Sequence, residues 1–227
     1  MIKAILFDMD GVLYDSMPSH VQAWHETMLS VGAPCSSDEF YMFEGRTGHS
    51  TINVIFNRTF DRDATPEELK NIYAQKSQRF MELEHPESQP MQNAIEVLNK
   101  VRALGLQRII VTGSGQRSLF EKLDKHYPSF FDKNLMITAY DVKYGKPHPE
   151  PYLMGLKKGN LQPEEAIIIE NAPLGVESGK AAGIYTVAVN TGPLSDDILW
   201  KSGASEIFPN MQALADNIEN LIYKLNN

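Results

Sequence analysis

Short runs of apolar residues alternate with amphipathic stretches along most of this chain. The apolar runs are rich in Ile and Val, and turn-forming residues flank each of them. Runs that are apolar at every position are typical of strands buried on both faces, as in a parallel sheet. They predict five strands, at residues 2–7, 108–111, 135–138, 166–169 and 184–189.

The stretches between these runs carry the signals of helices. Residues 94–104 place Leu98 and Val101 at helical spacing, and Gly105 follows as a common helix stop. Two further helices, each followed by a glycine, are predicted at residues 149–158 and 174–182. The alternation of strands and helices predicts an α/β fold with a doubly wound parallel sheet.

Residues 15–90 break this alternation. Strand signals are absent there, and residues 19–31 and 65–83 are predicted helices. The second helix begins with Thr-Pro-Glu-Glu, which forms a capping box and places proline at the first helical position. We therefore expect an α/β core, formed by residues 1–14 and 91–227, with a helical cap inserted after the first strand.

The composition of the 227 residues narrows the possible functions. A hydrophobic content of 42% and a charged content of 22% are typical of a folded globular protein. The formal net charge of -8 disfavours nucleic acid and anionic membranes as partners. Cys35 is the only cysteine, so the chain can form neither an intrachain disulfide nor a thiolate metal cluster. The apolar start is too short for a signal peptide, and we expect a cytoplasmic protein.

Two carboxylates directly follow the first predicted strand. Asp8 and Asp10 lie in the run DMDGV, at the end of the strand where open parallel sheets form their sites. One carboxylate of such a pair can attack phosphorus and hold a cation, while the other exchanges a proton with the leaving or entering oxygen. A solvated acidic turn is the alternative interpretation of this pair taken alone.

A small, hydroxyl-rich loop follows the second predicted strand. Thr112, Gly113 and Ser114 lie between that strand and a helix, where hydroxyl groups and backbone N–H groups suit a phosphate. The signal is weak on its own, because many strand-to-helix turns have this composition.

Charged residues occupy two further loops. Lys146 precedes a predicted helix and could neutralise both Asp8 and a phosphate oxygen, although most lysines in such loops are surface residues. Glu170 and Asn171 follow a run of three isoleucines, where oxygen ligands could hold a hard cation.

Together, the four loops resemble the four motifs of the haloacid dehalogenase superfamily. The resemblance covers essentially the whole chain, including the inserted helical cap. It is strongest to the β-phosphoglucomutase-like branch, on the runs DMDGV (8–12), GKP (145–147), ENAPLG (170–175) and AAG (181–183). It implies that Asp8 is the nucleophile, which forms an aspartyl-phosphate, and that Asp10 is the general acid and base.

The same resemblance implies a magnesium-dependent site. Mg²⁺ would be bound by the Asp8 carboxylate, the Asp10 main-chain carbonyl and the acidic motif at residues 170–171. The transferring phosphoryl group would be held by the loop at residues 112–114 together with Lys146. Its charge would then be neutralised by preorganised donors and the metal, the main catalytic contribution in phosphoryl transfer.

The chain departs from this branch at Asn171, where an aspartate is usual. An amide oxygen can bind Mg²⁺ but brings no charge, so a second carboxylate is expected from elsewhere. Glu44 is the candidate, since it lies in the run EGRTG (44–48) of the cap, which in this family folds over the core site. An ordinary surface glutamate remains the alternative interpretation of Glu44.

Other departures concern the mutase activity of this branch. The cap arginine that holds the non-transferring phosphate in β-phosphoglucomutases is replaced by Gly48, and Arg46 is the nearby substitute. His20, Trp24 and Lys76 do match mutase cap positions. His20 could couple cap closure to the proton-transfer residue, but the buried face of an amphipathic helix explains it equally well.

Glu44 and Asn171 together resemble a subgroup of the branch that hydrolyses inorganic pyrophosphate. Pyrophosphate is small and highly charged, and it suits a tight, metal-bridged pocket with Arg46, Lys76 and Lys146 around it. We therefore predict a monomeric inorganic pyrophosphatase, with a β-phosphoglucomutase or a small sugar-phosphate phosphatase as the alternative. A non-catalytic regulatory protein on the same fold would be expected to lack the nucleophile and the motif lysine, and both are present.

Overall fold

The computed structural model describes residues 1–84 and 89–227. Within them, five strands form one parallel sheet in the order β2-β1-β3-β4-β5. The strands are β1 (Ala4–Phe7), β2 (Gln107–Ile110), β3 (Ala166–Glu170), β4 (Tyr185–Val189) and β5 (Glu206–Phe208). The prediction of an α/β parallel sheet is confirmed.

The register of the three neighbouring strands positions the site. Phe7 of β1 pairs with Ile110 of β2 on one side and with Ile169 of β3 on the other. The three strands therefore end at the same level, and Asp8 and Glu170 emerge at one edge of the sheet. This is the carboxyl edge, where open parallel sheets place their binding sites.

Helices cover both faces of the sheet and form the cap. The α-helices of the described residues are α1 (Met17–Ser30), α2 (Ser37–Met42), α3 (Gly48–Phe60), α4 (Pro66–Leu83), α5 (Ala94–Ala103), α6 (Arg117–His126), α7 (Glu150–Gly159), α8 (Pro173–Ala181), α9 (Asp196–Ser202) and α10 (Met211–Asn226). Side chains of β1 alternate between two cores: Ile5 and Phe7 pack with α5 and α10, and Leu6 packs with α7. None of the helices in residues 1–84 and 89–227 has both the length and the apolar character of a membrane span.

Helices α1 to α4 surround a separate apolar cluster. Its buried members include Val21, Phe40, Ile52 and Ile72, one from each helix. The predicted capping box at the start of α4 is present, since the Thr65 hydroxyl accepts a hydrogen bond from Glu68 N and the Glu68 carboxylate accepts one from Thr65 N. The described part of residues 15–90 contains helices and no strand.

The two segments that join this helical region to the sheet lie side by side. Asp15 N donates to Gln89 O at 3.0 Å, and Met91 N donates to Leu13 O at 2.8 Å. The division into a core of residues 1–14 and 91–227 and a cap of residues 15–90 stays a prediction, and these paired segments support it.

One predicted strand, at residues 135–138, does not form. A short 3₁₀ helix, Lys133–Leu135, occupies its start, and Ile137 makes an isolated bridge to Val111. Ile137 bonds the β2 side with both its groups, since Ile137 N donates to Ile110 O and Ile137 O accepts from Thr112 N. The ladder does not continue, because Leu135 N donates to Asp132 O and Ala139 N donates to Ser114 O. The apolar pattern reflected burial of Ile137 rather than a continuous ladder. The sequence also gave no signal for β5, which has only three residues.

Candidate active site at the carboxyl edge of the sheet

Lys146 joins the first and last of the four loops. Its side chain is fully buried, and its Nζ donates to Asp8 Oδ1 at 2.5 Å and to Glu170 Oε1 at 2.6 Å. A third bond, of 3.0 Å, reaches Val111 O at the end of β2. One ammonium group therefore compensates two buried carboxylates, an arrangement in which loss of the cation leaves uncompensated charge.

The protonation of this cluster follows from burial and mutual charge. Burial alone would lower the pKa of Lys146, but the carboxylates of Asp8 and Glu170 outweigh it and raise that pKa. Burial raises the pKa of Asp8 to about 8, against the lowering effect of Lys146. Asp8 has to be ionised to act as a nucleophile. Its raised pKa indicates that the side chains around it supply too little positive charge to stabilise the ionised form.

Glu170 is held by four donors. Its Oε1 accepts from Lys146 Nζ and from Tyr152 Oη, the latter at 2.6 Å, and its Oε2 accepts from the backbone N–H groups of residues 171 and 172. The glycine of the motif leaves room for it, since a Cβ on Gly175 would lie 1.8 Å from Oε1. Four donors fill the acceptor positions of a carboxylate, and through one of them Glu170 positions Lys146. The role of Glu170 as a cation ligand stays a prediction.

Asp10 is held by two side chains from the start of α1. Ser16 Oγ donates to Asp10 Oδ1 at 2.6 Å, and His20 Nε2 lies 3.0 Å from the same oxygen. Burial would raise the pKa of Asp10, but His20 and Ser16 outweigh it and lower that pKa. Asp10 is therefore ionised, and it is oriented by groups of the cap.

A lysine completes the chain of contacts behind Asp10. Lys76 Nζ of α4 lies 2.5 Å from His20 Nδ1, and it sits about 5 Å from the ring centres of Trp24 and Phe80, at 5.2 Å and 5.0 Å. Burial lowers the pKa of Lys76 to about 7, and burial with the nearby lysine lowers the pKa of His20. With Lys76 donating to Nδ1, we assign the neutral His20 tautomer that donates from Nε2 to Asp10.

Glu44 of the cap meets Asn171 of the core. Asn171 Nδ2 donates to Glu44 Oε1 at 2.7 Å, and Asn171 Oδ1 is buried without a hydrogen-bond partner in the described part of the chain. The removal of water raises the pKa of Glu44 well above its usual range, and Asp8, Glu170 and Asp10 raise it further. The Glu44 carboxylate, like that of Asp8, therefore lies where a nearby positive charge would stabilise its ionised form.

The loop at residues 112–114 lies under the cap. Thr112 Oγ1 accepts from Ser114 N at 3.0 Å, which holds the loop in a tight turn. Gly113 faces the cap, because a Cβ at that position would lie 2.2 Å from Gly45 O. This close approach shows that the cap rests directly on the loop predicted to hold phosphate.

The space between cap and core is small. A cavity of about 60 Å³ lies there, against roughly 300–1,000 Å³ for common ligand pockets. Arg46 enters it half-buried, and its Nε has no hydrogen-bond partner among the described residues. The lining includes most of the predicted site residues, namely Asp8, Asp10, His20, Glu44, Arg46, Lys76, Thr112, Gly113 and Ser114.

The sequence profile of the family described as haloacid dehalogenase-like hydrolase matches residues 5–189 of this chain. The chain belongs to that family. A solved protein from Bacteroides vulgatus, provisionally named a beta-phosphoglucomutase, is 52% identical over 100% of this chain and 91% of its own, with a TM-score of 0.95. A beta-phosphoglucomutase from Clostridium difficile is 24% identical over 100% and 98% of the two chains, with a TM-score of 0.83, and shows the shared fold.

Several curated relatives of this haloacid dehalogenase-like hydrolase are named as phosphatases. A phosphorylated carbohydrates phosphatase from Thermotoga maritima is 30% identical over 82% of this chain and 84% of its own. Hexitol phosphatase A from Escherichia coli is 31% identical over 83% of each chain. The chain is a phosphohydrolase of the β-phosphoglucomutase-like branch, and these relatives act on small phosphorylated compounds.

Phosphatases of the haloacid dehalogenase-like hydrolase family generally use Mg²⁺. In residues 1–84 and 89–227 no three carboxylate, histidine or cysteine side chains converge into a complete cation cage. Mg²⁺ does not require one, since it is usually bound by one or two carboxylates with waters and substrate phosphate. The unpartnered Asn171 oxygen and the raised pKa values of Asp8 and Glu44 mark an oxygen-rich site that lacks positive charge. These residues fit Mg²⁺.

Two residues that bond site residues of this haloacid dehalogenase-like hydrolase were not predicted from the sequence. Ser16 is the N-cap residue of α1, and its hydroxyl bonds Asp10. Tyr152 of α7 bonds Glu170, and its ring lies 5.0 Å from Lys146 Nζ. A serine before a proline-containing helix start was the available signal for Ser16. Tyr152 gave no signal, because its contact depends on how α7 packs against the sheet.

Proposed function

We propose that this phosphohydrolase hydrolyses inorganic pyrophosphate in a Mg²⁺-dependent reaction through an aspartyl-phosphate on Asp8. The observation that carries the proposal is the contact between Glu44 and Asn171. A carboxylate of the cap reaches the core edge and bonds the residue that replaces the usual aspartate. Such an arrangement completes the cation site only when the cap is closed, and a closed cap favours a small substrate.

In the first step, an oxygen of Asp8 attacks one phosphorus and the P–O bond to the bridging oxygen breaks, which releases phosphate. Lys146 holds Asp8 in place and stabilises the charge on the transferring group. Mg²⁺, held by oxygens of Asp8, Glu44 and Asn171 and the Asp10 carbonyl, would neutralise charge on the same group. Arg46 and Lys76, which line the cavity, are suited to the departing phosphate.

In the second step, water attacks the phosphorus of the aspartyl-phosphate, and Asp10 takes the proton from the water. The bond between phosphorus and the Asp8 oxygen breaks, which releases phosphate and regenerates the Asp8 carboxylate. Asp10 is oriented for this by Ser16 and His20, and its lowered pKa keeps it available as a base. Phosphate is a weakly basic leaving group and needs little protonation in the first step, whereas a sugar alkoxide would need a proton from Asp10.

A phosphatase or mutase acting on a sugar phosphate is the second candidate. Apolar and aromatic side chains of Val21, Trp24, Phe40 and Phe43 form part of the cavity wall, and such a wall can pack against a sugar. The named activities of the relatives agree with it. At Gly48, however, a Cβ would lie 2.2 Å from Tyr73 Cε2, so the place of the mutase arginine is filled by a tyrosine ring.

Steady-state kinetics distinguish the two candidates. We expect kcat/KM for pyrophosphate with Mg²⁺ to exceed the values for β-glucose 1-phosphate, glucose 6-phosphate and hexitol phosphates by at least about tenfold. Interconversion of the two glucose phosphates without pyrophosphate turnover would establish the mutase. Faster hydrolysis of hexitol or hexose phosphates than of pyrophosphate would establish the sugar-phosphate phosphatase.

A further inference from the structure

Tyr152 contacts two of the charged residues that surround Asp8. It lies in the first turn of α7, the helix that follows the Lys146 loop, and its side chain is fully buried. The Tyr152 hydroxyl donates to Glu170 Oε1 at 2.6 Å, and the centre of its ring lies 5.0 Å from Lys146 Nζ. One side chain therefore touches both the lysine that bonds Asp8 and the carboxylate that shares this lysine.

Close packing of α7 on the sheet brings Tyr152 to this position. A Cβ on Gly155 would lie 3.0 Å from Val111 Cγ2, and a Cβ on Gly159 would lie 2.7 Å from Ile109 Cδ1. Larger side chains at these two positions would press on the sheet and move the helix away from it. The two glycines thus allow the approach that places the Tyr152 hydroxyl against Glu170.

The ammonium group of Lys146 is shared between two carboxylates. Its three N–H groups have three acceptors within 3.0 Å, namely Asp8 Oδ1, Glu170 Oε1 and Val111 O. Asp8 and Glu170 compete for the same charge. How strongly Glu170 attracts the ammonium group therefore decides how firmly Lys146 holds Asp8.

The Tyr152 hydroxyl weakens this competition. Glu170 Oε1 accepts from both Lys146 and Tyr152, while Oε2 accepts from the backbone N–H groups of residues 171 and 172. Without the hydroxyl, Lys146 would remain as the donor to Oε1 among the described residues. A buried carboxylate oxygen that has lost one donor bonds more strongly to the other, so the ammonium group would move towards Glu170 and away from Asp8.

We propose that Tyr152 is a positioning residue for the nucleophile, whose hydroxyl holds Glu170 in place and thereby keeps Lys146 bonded to Asp8. The inference rests on the proposed function in one respect, since it takes Asp8 as the nucleophile and Lys146 as its partner. It holds for pyrophosphate and for a sugar phosphate alike, because both would react at Asp8.

A tyrosine that only packs α7 against the sheet is the alternative. Tyr152→Phe separates the two roles, because it keeps the ring and its contact with Lys146 and removes the hydroxyl alone. Tyr185→Phe is the matched control. The Tyr185 hydroxyl also bonds a glutamate, Glu206, but at the amino end of β4, away from the site.

Steady-state kinetics with pyrophosphate and with p-nitrophenyl phosphate test the proposal. We expect Tyr152→Phe to lower kcat by about five- to fiftyfold for both substrates, with KM within about threefold of wild type and an unchanged circular dichroism spectrum. Tyr185→Phe should match wild type. A kcat within twofold of wild type in Tyr152→Phe, or a change confined to KM, would overturn the proposal.

A Mg²⁺ titration belongs to the same test, because Glu170 is also a predicted cation ligand. The Mg²⁺ concentration for half-maximal activity should stay within about twofold of wild type in Tyr152→Phe, since the hydroxyl acts through Lys146. Recovery of the wild-type kcat at saturating Mg²⁺ would show that the hydroxyl acts through the cation, and it would overturn the proposal.

Combination with Lys146→Ala tests the route of the effect. Single-turnover release of p-nitrophenol, with enzyme in excess, reports the attack by Asp8. In the Lys146→Ala background, adding Tyr152→Phe should change this rate by less than about twofold, because the residue through which the hydroxyl acts is gone. An undiminished effect of Tyr152→Phe in that background would overturn the proposal.

The same measurements keep this inference separate from the proposed function. Turnover of p-nitrophenyl phosphate without turnover of pyrophosphate would refute the proposed substrate, and the p-nitrophenyl phosphate data would still decide the role of Tyr152. An unchanged rate in Lys146→Ala would refute the proposed mechanism and this inference with it. An unchanged rate in Tyr152→Phe would refute the inference alone.

If Tyr152→Phe fails to fold, nuclear magnetic resonance of the wild type and of Lys146→Ala decides. The Tyr152 hydroxyl proton should give a downfield, slowly exchanging signal in the wild type. This signal should shift in Lys146→Ala, because both donors meet on Glu170 Oε1. Lack of a protected hydroxyl proton, or a signal that is the same in both proteins, would overturn the proposal.

Discussion

Asn171 Nδ2 donates to Glu44 Oε1 at 2.7 Å, and this bond joins a carboxylate of the cap to the motif that follows β3. If both residues bind the same cation, Glu44→Ala should raise the Mg²⁺ concentration for half-maximal activity and depress pyrophosphate hydrolysis. Adding Asn171→Asp should recover part of the loss, because the charge returns from the core side. Residues that share a ligand are expected to be non-additive in this way.

Steady-state Mg²⁺ titrations of the two single variants and the double variant check this prediction. Glu67→Ala, at an exposed cap position on α4, is the matched control and should behave as wild type. Independent, additive effects of the Glu44 and Asn171 changes would rule out a shared cation.

Asp8→Asn should abolish turnover, because an amide cannot form the aspartyl-phosphate. The fold should remain, since Asn preserves the shape of the side chain against Lys146. Freshly purified protein should be assayed at short times, so that deamidation does not restore aspartate, with circular dichroism as the control for folding. Retention of more than a few per cent of the rate would contradict the nucleophile assignment.

Asp10→Asn should lower kcat by about 10²–10⁴-fold, the usual range for general acid–base catalysis. The loss should fall mainly on breakdown of the aspartyl-phosphate, because Asp10 acts there as the base. Rapid-quench measurement should then show accumulated phosphoenzyme. A rate within threefold of wild type would remove Asp10 from the mechanism.

Lys146→Ala should reduce kcat/KM severely, because Asp8 and Glu170 then lie buried without their shared cation. Lys143→Ala in the same loop is the matched control, since Lys143 is exposed and should have little effect. Thermal unfolding should accompany the kinetics, because the change also affects stability. An unchanged kcat/KM with an intact fold would mean that Lys146 takes no part in catalysis.

The buried Lys76 predicts a pH dependence of stability. Its pKa is about 7 in the folded protein, against an ordinary value of 10.5. Between these values the unfolded chain binds more protons, so Lys76 makes the free energy of unfolding rise as pH rises from about 7 to about 10. Lys76→Met should remove this contribution, so that the variant gains stability relative to wild type at pH 7 and less at pH 9.

Urea unfolding at several pH values measures this difference. Lys201→Met, at an exposed position on α9, should leave the wild-type pH dependence in place. Parallel pH profiles for wild type and Lys76→Met would show that Lys76 keeps its ordinary pKa.

The sequence predicted the sheet and the loops of the site for a simple reason. Strands buried on both faces are apolar at every position, and residues such as Asp8 and Glu170 directly follow those runs. The sequence places Glu170 with the predicted cation ligands, but it does not reveal the bonds that hold this carboxylate. The structure fills its oxygens with donors from Lys146, Tyr152 and the backbone of residues 171 and 172, and this depends on the packing of α7.

The failure at residues 135–138 has a related cause. Apolar residues there signalled burial, and Ile137 is indeed fully buried. Whether a buried segment extends a ladder depends on its backbone partners, and here Leu135 N bonds Asp132 O and Ala139 N bonds Ser114 O instead of β2. The contact of His20 with both Asp10 and Lys76 likewise needed the three-dimensional structure, because an amphipathic helix face explained the histidine equally well.

The paired segments at Leu13–Met91 and Asp15–Gln89 have a consequence for how such enzymes diversify. Because the entry and exit of the insertion are hydrogen-bonded neighbours, the insertion occupies no length along the sheet. Its size and content can change without moving a strand or the loops that carry the chemistry, as is common where the ends of an inserted unit lie close together. An exchange of caps between relatives would thus leave the strands in register, but it would also replace Ser16, His20 and Glu44, so the new cap would have to supply its own contacts to Asp10 and Asn171.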